Sequence, residues 1–118
     1  MILTTYENRK MRTQLKQPYK QFFGTVANQV RLDIIEVLNK ENSNVSNIVK
    51  KVPYEQSTIS HSLKRLEECG FVSVEKQGKE RIYSLNRKTI TPLLNIMKIH
   101  MDKYCCKVVA KKEGKLCH

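Results

Sequence analysis

The stretch Gln56-Ser57-Thr58-Ile59-Ser60-His61-Ser62-Leu63-Lys64-Arg65-Leu66-Glu67-Glu68-Cys69-Gly70-Phe71-Val72 decides the fold. Its apolar residues Ile59, Leu63 and Leu66 recur at helical spacing, so one stripe faces inward. Gly70 ends this helix as a left-handed cap, giving a helix from about Gln56 to Cys69. The period then changes. Phe71-Val72-Ser73-Val74-Glu75 alternates, Gln77-Gly78-Lys79 makes a turn, and Arg81-Ile82-Tyr83-Ser84-Leu85 alternates again, which predicts a β-hairpin. The outward positions of the helix are Gln56, Ser57, Thr58, Ser60, His61 and Lys64. They offer small hydroxyls, an amide, an imidazole and a cation.

Working upstream, Pro53 stops a short helix whose apolar face is Val45, Ile48, Val49 and Val52, with Asn44 as its N-cap. Asn28 caps an earlier helix carrying Val30, Ile34, Ile35, Val37 and Leu38, which ends near Asn39. Pro18 starts a short helix from Gln17 to Phe23, ended by Gly24. Downstream, Ile90, Leu93, Leu94, Met97, Met101, Tyr104 and Val108 form one stripe, predicting a long amphipathic helix to about Ala110. Pro92 sits in its first turn.

The order is helix, helix, short helix, tight turn, helix, hairpin, helix. The short helix, turn and longer helix make a helix-turn-helix, and the hairpin makes a wing. The fold class is therefore mainly α (α+β): a winged helix-turn-helix with a two-stranded hairpin wing and a long C-terminal dimerisation helix. A helix enters the major groove when its outer face carries short polar or basic side chains near its start. Gln56, Ser57, Thr58, Ser60, His61 and Lys64 fit that demand, and Lys76, Lys79 and Arg81 on the wing can reach a neighbouring backbone or minor groove. The plainer alternative is a solvated helix face beside a solvated turn, and the full ordered set of elements weighs against it.

The run from Gln56 to Val72 also resembles the recognition-helix signature of ArsR-type winged-helix repressors. Gly24-Thr25-Val26-Ala27-Asn28-Gln29-Val30-Arg31-Leu32-Asp33-Ile34-Ile35 is similar to the first motif of that family, and Glu75 to Leu85 is similar to its wing. The resemblance covers about residues 17–110. It implies a homodimer with the first and last helices at the interface. The family's familiar cysteine motif is absent, since the matching residues are Val45-Ser46-Asn47-Ile48. Its zinc pattern on the last helix is absent too, because Asp102 is followed by Lys103 and Tyr104.

The chain has 118 residues, which at about 100–200 per domain is one domain. We divide it into a basic arm (1–16), a DNA-binding and dimerisation domain (17–110) and a tail (111–118). The formal net charge is +11, which suggests a polyanionic partner, double-stranded DNA first. That charge is uneven. Residues 1–22 carry five Lys or Arg against one Glu, residues 84–118 carry eight against two acids, and residues 23–83 carry nine against eight. Pairing of two chains answers this, because it doubles the basic arms, where Arg9, Lys10, Arg12, Lys16 and Lys20 can meet phosphate. A stripe as long as Ile90 to Val108 overhangs so small a core and asks for a second copy. Leu93, Met97, Met101, Tyr104 and Val108 are the expected dimer interface.

No apolar run approaches the about 18 residues of a membrane span, and the N-terminus lacks a secretory pattern, so the expectation is a cytoplasmic protein with no membrane partner. Its four cysteines, Cys69, Cys105, Cys106 and Cys117, are then free thiols. Cys69 reads as a core filler. Cys105, Cys106 and Cys117 could hold a soft thiophilic metal or metalloid ion, or oxidise, or do neither. Adjacent helical residues point about 100° apart, so one ion on Cys105 and Cys106 needs local unwinding or the partner chain. An enzyme is excluded by the scattered His and Asp residues and by the lack of any phosphate-cradling loop. The readings left open are a regulator, most simply a repressor, released by a ligand at the cysteines; a ligand-free constitutive repressor; and a winged-helix protein-interaction module.

Overall fold

The computed structural model describes residues 17–105. The chain divides after Ser84 into two compact units. In the first, helix α1 covers residues 17–26, α2 Gln29–Lys40, α3 Val45–Lys51 and α4 Gln56–Glu68. Strands β1 (Val72–Gln77) and β2 (Glu80–Leu85) form the antiparallel wing. Helix α5 (Ile90–His100) and a π-helical turn (Met101–Cys105) follow. The fold is the winged helix-turn-helix read from the sequence.

The caps explain where the helices begin and end. Asn28 Oδ1 accepts from the Arg31 amide at 3.1 Å and starts α2. Asn44 Oδ1 accepts from the Asn47 amide at 2.8 Å and starts α3. Each satisfies an amide that the helix itself leaves without a partner. α4 ends in a Schellman motif: the Phe71 amide donates to Leu66 O at 2.9 Å and the Gly70 amide to Glu67 O at 3.0 Å. Gly70 takes a φ of +76°, which a residue with a Cβ adopts only at a cost.

One expected helix end is corrected. Gly24 does not stop α1, which continues to residue 26. Gly24 has no positive φ, and one helical glycine costs only about 1 kcal/mol. Thr25, next to it, is fully buried, and its hydroxyl donates back to Gln21 O at 2.7 Å. That burial outweighs the glycine. α1 ends instead where the Asn28 amide turns back onto Val26 O at 2.8 Å.

The core of the first unit is Ile34, Ile35 and Leu38 of α2, Ile48 of α3, and Ile59, Leu63 and Leu66 of α4, with Phe71, Val72 and Tyr83 from the hairpin. Phe22 of α1 stacks on Phe71 with ring centroids 5.2 Å apart. With its amide oxygen turned toward Arg65, Gln21 accepts from both terminal guanidinium nitrogens at 3.1 and 2.7 Å, tying α1 to α4. Cys69, partly buried, lies 3.2 Å from the Thr25 hydroxyl, in keeping with a packing role.

In the second unit, Asn86 Oδ1 accepts from the Lys88 and Thr89 amides at 3.1 and 3.3 Å and shapes the entry to α5. Pro92 lies in the first turn of α5, as expected. The last helix is not one uninterrupted α-helix. Its hydrogen bonding widens to the π form over Met101–Cys105, a rare form that occurs mostly as single turns. The expected continuation to Ala110, with Cys106 and Val108, lies outside the described residues, as do the arm (1–16) and the tail (111–118) that carries Cys117.

Candidate nucleic-acid interface

α4 is held by its inner face and open on its outer one. Ile59, Leu63 and Leu66 are fully buried, and Ser62 is buried beside them. Gln56, Ser57, Thr58, Ser60, His61 and Lys64 are all exposed. The 3.6-residue period accounts for this, because fixing three residues inward turns these six outward.

The turn before α4 is fastened from behind. The Tyr54 hydroxyl donates to Asp33 Oδ2 at 2.6 Å, and Gln29 Nε2 donates to Asp33 Oδ1 at 2.7 Å. The Asp33 carboxylate accepting its proton holds the Tyr54 hydroxyl above its ordinary pKa, with partial burial adding to the effect. At the far side of the motif, Lys51 Nζ meets Glu41 Oε1 at 2.7 Å, and this holds the exposed Glu41 carboxyl below its ordinary value.

The wing is joined to the same motif. Ser43, just before α3, pairs with Tyr83 of β2 in an isolated antiparallel bridge: the Ser43 amide donates to Tyr83 O at 3.1 Å and the Tyr83 amide to Ser43 O at 2.9 Å. Asn44, already the cap of α3, donates from Nδ2 to Glu80 Oε1 at 3.1 Å. Gly78 opens the hairpin turn with a φ of +65°, the pattern of a two-residue turn with glycine first. Lys76, Lys79 and Arg81 are exposed around that turn.

One residue on this face was not singled out as a contact in the sequence. Arg31 of α2 lines two shallow grooves that both include His61. Its Nε donates to Thr25 O at 2.7 Å and its Nη2 to Gly24 O at 3.0 Å. Only its position inside the first family-like motif marked it.

The expected interface residues on α5 are placed differently from one another. Leu93 and Met97 are half-buried, while Met101 and Tyr104 are 46% and 53% exposed. Ile96 and Ile99, outside the predicted stripe, are more open still at 66% and 68%. In the first unit, Tyr19 and Phe23 of α1 stack 6.4 Å apart and are 60% and 57% exposed. Cys105 is exposed on the π turn. Among the described residues no three His, Cys, Asp or Glu side chains gather into a metal-holding group, and no helix is long and apolar enough to cross a membrane.

Known proteins resemble this chain in sequence and fold. The family model for bacterial regulatory proteins of the arsR family matches residues 28–74, which span α2 through β1. The arsenical resistance operon repressor of Bacillus subtilis (strain 168) is 28% identical over 107 residues, covering 90% of this chain and 96% of the relative. An HTH-type transcriptional regulator of Mycobacterium tuberculosis is 31% identical over 77 residues, covering 64% of this chain and 68% of the relative. The crystal structure of a Mycobacterium tuberculosis protein superposes with a TM-score of 0.75 at 28% identity, over 81% of this chain and 97% of that one. A Mycobacterium bovis domain, described as a homodimeric winged helix-turn-helix DNA-binding domain, has the same fold at a TM-score of 0.72 and 20% identity, over 80% of this chain and 87% of that one. With its exposed polar α4 face, its anchored wing and these relatives, the chain belongs to the ArsR family of winged helix-turn-helix transcriptional regulators, which are not enzymes.

Proposed function

We propose that the chain is a homodimeric repressor that reads a specific double-stranded DNA site. Gln56, Ser57, Thr58, Ser60, His61 and Lys64 face the major groove, and Lys76, Lys79 and Arg81 of the wing meet the backbone. The observation that carries this is the outer face of α4, which is short-chained, polar and exposed while its inner face is locked into the core. Dimerisation through α1 and α5 is supported by their exposed apolar residues and by the homodimeric state of the Mycobacterium bovis domain. Two copies place two reading helices about one DNA turn apart. Residues 17–110 then act as the DNA-binding and dimerisation domain, with residues 1–16 adding phosphate contacts.

The test is a titration of the reduced protein against a labelled duplex from upstream of its own gene, with a scrambled duplex as control. Preference for the native duplex is expected. His61→Ala should erode that preference, while Lys79→Ala should weaken both duplexes alike. No preference for any upstream duplex tried would move the reading to a protein-interaction module.

A second reading concerns release. The Bacillus relative is named for arsenical resistance, and Cys105 is exposed on its π turn. On this reading a soft metalloid or thiol oxidation acts at Cys105, Cys106 and Cys117. As(III) should then free the duplex from the wild type and not from a variant with all three changed to Ser. Indifference of the wild type to As(III) and peroxide would leave a constitutive repressor.

A further inference from the structure

We infer that Arg31 holds a DNA backbone phosphate beside the reading helix. This rests on the DNA-binding reading and deepens it. Two adjoining grooves, of about 370 and 350 Å³, run between the start of α2 and the outer face of α4. Arg31 and His61 line both, Ser57 and Thr58 line the first, and Lys64 and Arg65 line the second. Glu68, in the second groove, is the one acid among these lining residues. Within a chain segment whose charges nearly cancel, the cations Arg31, Lys64 and Arg65 are concentrated on the side of α4 that carries the reading residues.

The setting of Arg31 matters more than its charge alone. Its guanidinium is fixed by the Thr25 and Gly24 carbonyls, at 2.7 and 3.0 Å. Both acceptors are neutral, so these bonds orient the cation without a carboxylate cancelling it. The N-terminus of α2 opens on the first groove through Asn28 and Val30, and no acidic residue stands in its first turn. The positive end of that helix dipole and the oriented guanidinium therefore act on the same space, an arrangement that suits a phosphate oxygen. A phosphate there would also register α4 on the duplex, since Arg31 and the reading residues Thr58 and His61 share one groove.

The experiment measures the slope of log affinity against log salt for the full chain on a fluorescein-labelled duplex of random sequence. Losing a phosphate contact flattens that slope by about 0.9 for each contact. Arg31→Gln should flatten it by that amount per protomer. Arg31→Lys, which keeps the charge but not the fork, should hold the wild-type slope while melting earlier, because the Gly24 and Thr25 carbonyls lose their donors. A second measurement uses the wild type alone. The Arg31 Nε–H resonance, assigned by its loss in Arg31→Lys, should shift when the duplex is added. A wild-type slope in Arg31→Gln, or an Arg31 resonance that the duplex leaves unmoved, overturns the phosphate contact and leaves the DNA reading standing. Wild-type protein that binds no duplex overturns both.

Discussion

α4 and α5 are helices of similar length, 13 and 11 residues, finished in opposite ways. α4 carries a narrow apolar stripe, and Ile59, Leu63 and Leu66 are fully buried within the chain. Its outer face is polar and open to solvent. α5 is apolar on more than one side, yet among its residues only Ile90 is buried, and Ile96 and Ile99 stand in solvent. A helix that is apolar around most of its circumference is stable only when covered. The difference separates two tasks. α4 completes its packing at home and leaves a polar face free, which on our reading meets DNA. α5 leaves its packing to be completed by another apolar surface, which a second copy supplies on our reading.

The contrast can be broken most forcefully from inside α4. Leu63→Ala should cost about 2–5 kcal/mol in urea denaturation, because it opens a cavity in the closed core. Ile99→Glu should leave each chain folded but shift sedimentation from dimer to monomer. DNA affinity should then fall by about 10²-fold as two-handed engagement is lost. A dimer that persists would place the interface off this face of α5. Thr58→Ala should lower affinity for the specific site about tenfold, with the melting temperature unchanged, separating reading from folding. The smallest effect is expected behind α4. Tyr54→Phe removes the hydrogen bond to Asp33 that steadies the turn. The tyrosine pKa is raised from 10.0, so the bond's contribution is whole below that value and fades as pH rises through the higher folded one. The stability gap between wild type and Tyr54→Phe should therefore close in strong alkali. A gap that stays constant would assign the loss to packing instead.

Much of this was legible in the sequence because the signals are local. Asn28, Asn44 and Gly70 each announce a helix boundary within a few residues, and the switch from helical to alternating period marks the wing. The exposed face of α4 follows from the same arithmetic, since naming Ile59, Leu63 and Leu66 as inward fixes the rest. What escaped has no period. Ser43 is a strand of one residue, visible only through its pairing with Tyr83. Arg31 reaches carbonyls six and seven residues back in the chain, a link made by the geometry of the α1–α2 junction. Gly24 carried a true local signal that the burial of Thr25 overrode. Ile96 and Ile99 fall outside the predicted stripe because a stripe drawn on one side of a helix wheel ignores a helix that is apolar on several.

Asn44 has a consequence for how this sequence can change over generations. Its two amide atoms serve two masters: the oxygen starts α3 and the nitrogen fastens Glu80 of the wing. Aspartate, serine and threonine are interchangeable with asparagine at most helix starts. Here each keeps the first duty and drops the second, and aspartate sets a like charge against Glu80. A lineage could accept Asn44→Asp comfortably only after Glu80 had given way to glutamine or lysine. The order of substitutions is thus constrained by a side chain that touches neither the core nor the proposed reading face.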